Sequence, residues 1–381
     1  MLGLSWRARI GLAALALFTV AVTIAVLVLA VSSGPRSDSG SGDARSDGSP
    51  NVYAYMQVEY SSDWTEVDSR LVLMDGTELI GAADFAVADD PVFTHDGAYV
   101  FTHADLLDEI TAISVSTGDT ITVPCEGCGD HFAKCNCQTV VPFGGSTIAW
   151  LDPENRLVYA DLAAETPTPQ PTETIVPVSA NSAYQPMLIA GTDGLAVAAY
   201  PHESFDATTA VHLVPLEGEP QLIDAVRPDS VDEAAFSPDG ARLALTGDSE
   251  ITCATVTVVE VASRTAETSP ILAQPGEECE ERDANLTDLW WSPDGTLNTQ
   301  VQLATGGRDQ KHLEGAQWID TPMDGDVQSL ALPTGGALAL SMTDDVTGGQ
   351  TLYFEHDGDS ERIDRSIRGI TAAPEGAAEH R

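Results

Sequence analysis

Beyond residue 50 the chain is written in short apolar runs that alternate with polar positions. Tyr99–Thr102, Ile110–Val115, Leu195–Ala199 and Val256–Val261 repeat with period two, and helical periodicity is nearly absent. That pattern predicts strands half-buried on a sheet. The one exception precedes them. Ile10 to Val31 carries no charge, and its 22 residues would rise about 33 Å as a helix, enough to cross a hydrocarbon core. The run exceeds the apolar segment of a typical secretory signal. Ala30-Val31-Ser32 is the nearest thing to a cleavage site, so a retained anchor is expected, with a cleaved signal as the alternative. Arg7 and Arg9 precede the run, which places the N-terminus in the cytoplasm and the rest outside it. The expected layout is a cytoplasmic segment 1–9, an anchor 10–31, a flexible linker 32–51, an extracytoplasmic domain 52–377 and a tail 378–381. Glu165 to Glu173, ETPTPQPTE, reads as an extended surface loop.

Within the domain one element recurs: an apolar strand, a tight turn and a second apolar strand. Clear copies are Val92-Phe93-Thr94-His95-Asp96-Gly97, Ala235-Phe236-Ser237-Pro238-Asp239-Gly240 and Trp290-Trp291-Ser292-Pro293-Asp294-Gly295. Weaker copies end at Gly145, Gly194, Gly336 and Gly376. Ser or Thr bonds the backbone, Pro presets φ, Asp tolerates the third position and Gly takes the last. The closing glycines are spaced by 48, 49, 46, 55, 41 and 40 residues, room for about four short strands per unit. The F-S-P-D-G and W-S-P-D-G units resemble the repeats of TolB-type, WD-like β-propellers, over roughly residues 52–377. The resemblance implies a bacterial, all-β propeller fold and no particular function. The final turn has no strands after it, whereas Val52–Glu59, Arg70–Met74 and Thr77–Ile80 lack a first strand. Ile367–Ala372 is therefore expected to become the inner strand of the first blade. Seven blades result. Six is the alternative, because Val327–Leu332 would have to supply both an outer and an inner strand. In such a blade the loops between second and third strands lie on the top face, expected to point away from the membrane.

Charge narrows the partners. The formal net charge is −42, and all 59 acidic residues follow Ser37. Such a surface repels nucleic acid and anionic headgroups and favours cations, basic partners or plain solubility. The expected partner is a protein or cell-envelope ligand, with the propeller itself a monomer.

Cysteines bring in further chemistry. Cys125-x2-Cys128-x6-Cys135-x-Cys137 encloses His131 and resembles a compact zinc knuckle. Outside the cytoplasm thiols oxidise, so two local disulfides are expected, with zinc as the alternative and the pairing undetermined. Cys253 and Cys279 are expected to form another disulfide. No cofactor is expected otherwise, although Glu277 to Asp283 could hold calcium.

The chain lacks G-x-S-x-G, H-E-x-x-H, a P-loop and G-x-G-x-x-G. Asp89-Asp90 and Asp344-Asp345 read as solubilising residues at strand ends. The top-face loops are expected to present Trp64, His103, Asp105, His202, Glu203, Arg308, His312 and Asp344 as a ligand-binding rim. No catalytic residue or metal ligand is assigned. The reading is a membrane-anchored binding or scaffold module, with a hydrolase or lyase using carboxylates and histidines as the alternative.

Overall fold

The computed structural model describes residues 51–374 apart from connecting stretches, the longest being 129–139, 200–209 and 272–283. The expected anchor and tail, and the linker up to residue 50, lie outside the described residues. No helix among the described residues is long and apolar enough to cross a membrane; all the regular elements are strands.

The strands fall into antiparallel sheets in chain order. Strands β1 (Val52–Tyr60), β2 (Glu66–Asp75) and β3 (Glu78–Phe85) come first. Four-stranded sheets follow: β4 (Val92–Phe93), β5 (Tyr99–His103), β6 (Glu109–Ser114) and β7 (Thr120–Pro124); then β8 (Val141–Pro142), β9 (Thr147–Leu151), β10 (Arg156–Asp161) and β11 (Gln170–Ile175). Next are β12 (Met187–Thr192), β13 (Leu195–Ala199), β14 (His212–Pro215) and β15 (Gln221–Leu222); β16 (Ala234–Phe236), β17 (Arg242–Ser249), β18 (Cys253–Glu260) and β19 (Thr265–Pro270). Then come β20 (Ala284–Trp291), β21 (Leu297–Leu303), β22 (Arg308–Glu314) and β23 (Gln317–Thr321). The chain ends with β24 (Val327–Ala331), β25 (Ala337–Met342), β26 (Gln350–His356) and β27 (Asp359–Ala372).

The last four strands do not form a separate sheet. They continue into the first three, in the order β24-β25-β26-β27-β1-β2-β3. Strand β27 is shared. Its first half pairs with β26 from Asp359 to Ile367, and its second half pairs with β1, Ala372 opposite Tyr53 and Ile370 opposite Tyr55. Ser366 sits at the changeover with φ +59°, a left-handed conformation that kinks the strand between its two neighbours. The expected inner strand Ile367–Ala372 is thus in place.

First strands lie side by side around the molecule. β27 packs on β4, β4 on β8, β8 on β12, β12 on β16 and β16 on β20. The core sits between neighbouring sheets. Met56, Val58, Leu71 and Leu73 meet Phe93, Val100 and Ile113; Phe101 and Ile110 meet Ile148 and Trp150. Alternation along β1 sends Val52, Ala54, Met56 and Val58 to one side, and Tyr53 and Tyr55 to the other, against Leu340, Leu352 and Ile367.

The repeated turns share one set of bonds. The Gly97, Gly240 and Gly295 amides donate to the carbonyls of Thr94, Ser237 and Ser292 at 2.8–2.9 Å. Asp96, Asp239 and Asp294 each accept from the amide two residues on, at 3.0–3.1 Å. The Thr94 and Ser237 hydroxyls also donate to their aspartates. The Ser237 bond and the Ala241 amide hold the Asp239 carboxyl below the usual range, and the Thr296 amide does so for Asp294. The glycines have φ between +67° and +82°, open to glycine without a Cβ clash. Turns also touch across sheets: the Ser146 hydroxyl donates to Asp96 at 2.6 Å. Arg242 donates to the Gly295 carbonyl at 3.1 Å and stacks 4.4 Å above the Trp291 ring.

Two stretches differ from the sequence reading. β11 begins inside the Thr/Pro tract, with Pro171 opposite Val158. As an outer edge strand it tolerates a residue with no amide to donate. β22, RDQKHLE, has one aliphatic residue yet is a full strand. Cross-strand polar pairs hold it: Lys311 donates to Asp320, and His312 Nδ1 lies 2.9 Å from the Thr321 hydroxyl.

Candidate functional site

Pairing of β5 with β6 sets His103 opposite Ile110, and pairing of β6 with β7 sets Glu109 opposite Pro124. The end of β5 and the residue after β7 therefore meet at one end of the sheet. There the chain turns sharply. The Cys125 amide donates to the Asp108 carbonyl at 2.8 Å and the Cys128 amide to the Cys125 carbonyl at 3.3 Å. Gly127 has φ +83°, and a Cβ there would come within 2.7 Å of Pro153. Glycine is what lets this turn press against the next sheet.

The result is a buried cluster. His103 is 4% exposed, Cys125 0% and Cys128 1%. One imidazole nitrogen and both sulfurs lie within 4.8 Å of one another, and Cys125 and Cys128 form a disulfide. Asp89 stands behind the histidine. Its carboxylate lies 3.1 Å from His103 Nδ1, its amide donates to the His103 carbonyl, and its own carbonyl accepts from the Thr102 hydroxyl. His103 Nε2 is buried with no hydrogen-bond partner. Phe101, Thr102, His103 and Val140 line a small recess with Asp89 and Asp90. The recess adjoins β27: a Cβ on Gly369 would come within 2.6 Å of Asp90.

The chemistry follows from the burial. Asp, His and Cys in this order match a nucleophilic triad by residue type. With Cys125 fully buried and bonded to Cys128, however, a substrate carbonyl has no approach to the sulfur. With that bond reduced, nitrogen and sulfur donors at this spacing would suit a borderline metal ion instead.

Of the expected rim residues, His103 faces inward rather than lining an open loop. Both faces of β5 are buried, and His103 shares the one that carries Phe101. His312 lies within β22, opposite Asn298, near the turn at the far end of that strand from Arg308. The backbone of Arg308 begins β22 opposite Gln302. Trp64, Asp105, His202, Glu203 and Asp344 lie outside the described residues, as do His131, Cys135, Cys137, Cys279 and the Glu277–Asp283 cluster. Cys253 opens β18 opposite Ser249. Asp89, read as a solubilising residue, instead orients His103. The signal for it was the bonding of β5 to the connection between β3 and β4, which composition does not carry.

No family model matches the chain, and no curated protein matches it. Among solved structures it is similar to a 6-phosphogluconolactonase-like protein from Bacteroides fragilis, at 12% identity over 87% of this chain and 100% of that one, with a TM-score of 0.51. The dihydro-heme d1 dehydrogenase NirN, solved in complex with DHE, is similar at 13% identity over 91% and 80%, TM-score 0.50. TolB from Acinetobacter baumannii is similar at 11% over 85% and 67%, TM-score 0.46. At these identities the likeness concerns the fold. The described part of the chain is an all-β protein of the β-propeller class. It resembles TolB and other propellers, as the S-P-D-G turns implied.

Proposed function

We propose that this chain is a bacterial, membrane-tethered, extracytoplasmic propeller of seven blades that binds or scaffolds a protein or cell-envelope ligand without catalysing a reaction. The blade count rests on β27. Counted once with β24–β26 and once with β1–β3, it completes two four-stranded units beside the five separate sheets. Outer strand β23 and inner strand β24 both fit before β25, which relieves the crowding that favoured six. The tether and its orientation rest on the uncharged run Ile10–Val31 and on Arg7 and Arg9.

One observation carries the binding reading. Several of the reactive groups among the described residues are committed to structure. Asp96, Asp239 and Asp294 hold turns, and Asp364 accepts from Tyr55 and Gln57. Asp89 holds a histidine, and two cysteines hold each other. What remains is an acidic surface suited to recognition.

The test is crosslinking in living cells, with a photoreactive residue at Asp105, His202 or Asp344. A discrete adduct from these positions, absent when the label sits in the turns at Asp239 or Asp294, supports the reading. Turnover of ester, lactone or glycoside substrates by purified protein, lost when a rim carboxylate is replaced, would establish the hydrolase alternative instead.

A further inference from the structure

We propose that His103, Cys125 and Cys128 form a three-ligand site for zinc, or a cation of similar softness, whenever the Cys125–Cys128 bond is reduced. The assignment does not depend on what the rim binds.

The histidine is already prepared as a ligand. Asp89 accepts a hydrogen bond from Nδ1 at 3.1 Å, which fixes the proton there and leaves the Nε2 lone pair free to donate. That Nε2 is buried and without a hydrogen-bond partner, in a side chain 4% exposed. A buried acceptor left unsatisfied is a rare feature that a bound ion would explain. Sulfur is close by: a ring nitrogen of His103 and the Cys125 and Cys128 sulfurs lie within 4.8 Å of one another. Tetrahedral zinc needs sulfur–sulfur and sulfur–nitrogen separations of about 3.5–3.8 Å. Side-chain rotation from the disulfide reaches these values, and the turn closed by the Cys128 amide keeps both cysteines on one side. The Asp–His–metal order repeats the outer-carboxylate arrangement of many zinc sites. The fourth position is left to water. Cys135 and Cys137, outside the described residues, are not assigned to the site.

The two states exclude each other. Reduction by thiol exchange consumes two external thiols, releases their disulfide and leaves Cys125 and Cys128 as thiols. Binding then displaces a proton from each, so affinity rises with pH. The site would be loaded in a reducing setting and closed in an oxidising one.

The experiment uses the full chain in detergent, reduced with a phosphine under nitrogen and freed of reductant. Zinc affinity is measured by competition with a chromogenic chelator, and cobalt(II) serves as the spectroscopic probe. To isolate the site, Cys135 and Cys137 are replaced by serine in the background. The expected result is one equivalent of metal, with cobalt bands of a tetrahedral sulfur–nitrogen site. Asp89→Asn weakens binding by about 10–100-fold, and His103→Gln by at least as much. Cys125→Ser with Cys128→Ser abolishes binding, and the unreduced protein binds nothing. Failure of the reduced background protein to bind, or unchanged affinity in both Asp89→Asn and His103→Gln, overturns the assignment. Asp89→Asn keeps the test decisive should His103→Gln fold poorly, because it leaves every donor atom in place.

Discussion

The bond between Tyr55 and Asp364 measures how strongly the two ends of the chain hold each other. The Tyr55 hydroxyl donates to Asp364 Oδ2 at 2.9 Å, across 309 residues of sequence. The Tyr55 ring is 3% exposed, and Asp364 is half-buried. A hydrogen bond to a charged group contributes about 1.5–3 kcal/mol. Partial exposure of Asp364 screens it, so a coupling of about 1–1.5 kcal/mol is expected from a double-mutant cycle of Tyr55→Phe and Asp364→Ala. Burial, and then the Asp364 charge, also push the Tyr55 phenol well above its ordinary range. The sign is therefore set. The folded state keeps this proton while the unfolded chain loses it above about pH 10. Stability is complete below that pH and falls above it, by up to about 1.4 kcal/mol per pH unit for this one group. Tyr55→Phe should flatten the decline by that amount. Denaturant unfolding of all four proteins at pH 7, and of wild type and Tyr55→Phe from pH 9 to 11, supplies both numbers. A coupling below about 0.3 kcal/mol, with alkaline slopes that coincide, would show that the closing seam does not contribute as described.

Two further outcomes are expected. Gly191→Ala should cost about 3 kcal/mol or more, because its Cβ would fall 2.0 Å from the Pro142 carbonyl of the neighbouring sheet. Gly145→Ala, with open space but φ +52°, should cost about 1 kcal/mol; denaturant midpoints in the reverse order would refute the packing argument. Burial lowers the His212 pKa, and its Nδ1 is buried without a partner. The unfolded chain then binds the extra proton first, so stability is complete above about pH 6.5 and falls on acidification. His212→Leu should reduce the slope between pH 6.5 and 5 in thermal melts, and an unchanged slope would contradict the assignment.

The turns were legible because the chemistry is local. A carboxylate and a glycine side by side after a serine form the same backbone bonds in both turns, at Asp239-Gly240 and at Asp294-Gly295. The closing strand was legible by elimination, since β1 begins without a partner. β22 was not, because its Lys311–Asp320 and His312–Thr321 pairs replace the apolar alternation that marks a strand. The buried cluster was half legible. Cys-x2-Cys announces a cysteine turn, but nothing near it in sequence names His103, which arrives through β5–β6–β7 pairing. Asp89 is harder still, for its role depends on the connection before β4 bonding to the end of β5, beyond the intervening strand.

Strand β27 also fixes when the protein can be finished. Tyr55 leaves the ribosome 309 residues before Asp364, an interval of about 15–60 s at ordinary speeds of synthesis. Throughout that interval β1 offers an unpaired backbone edge to any passing extended peptide. A nascent chain stalled short of Ile367 should therefore be the species that chaperones retain. Supplying the missing segment in trans, as a synthetic peptide, should release it.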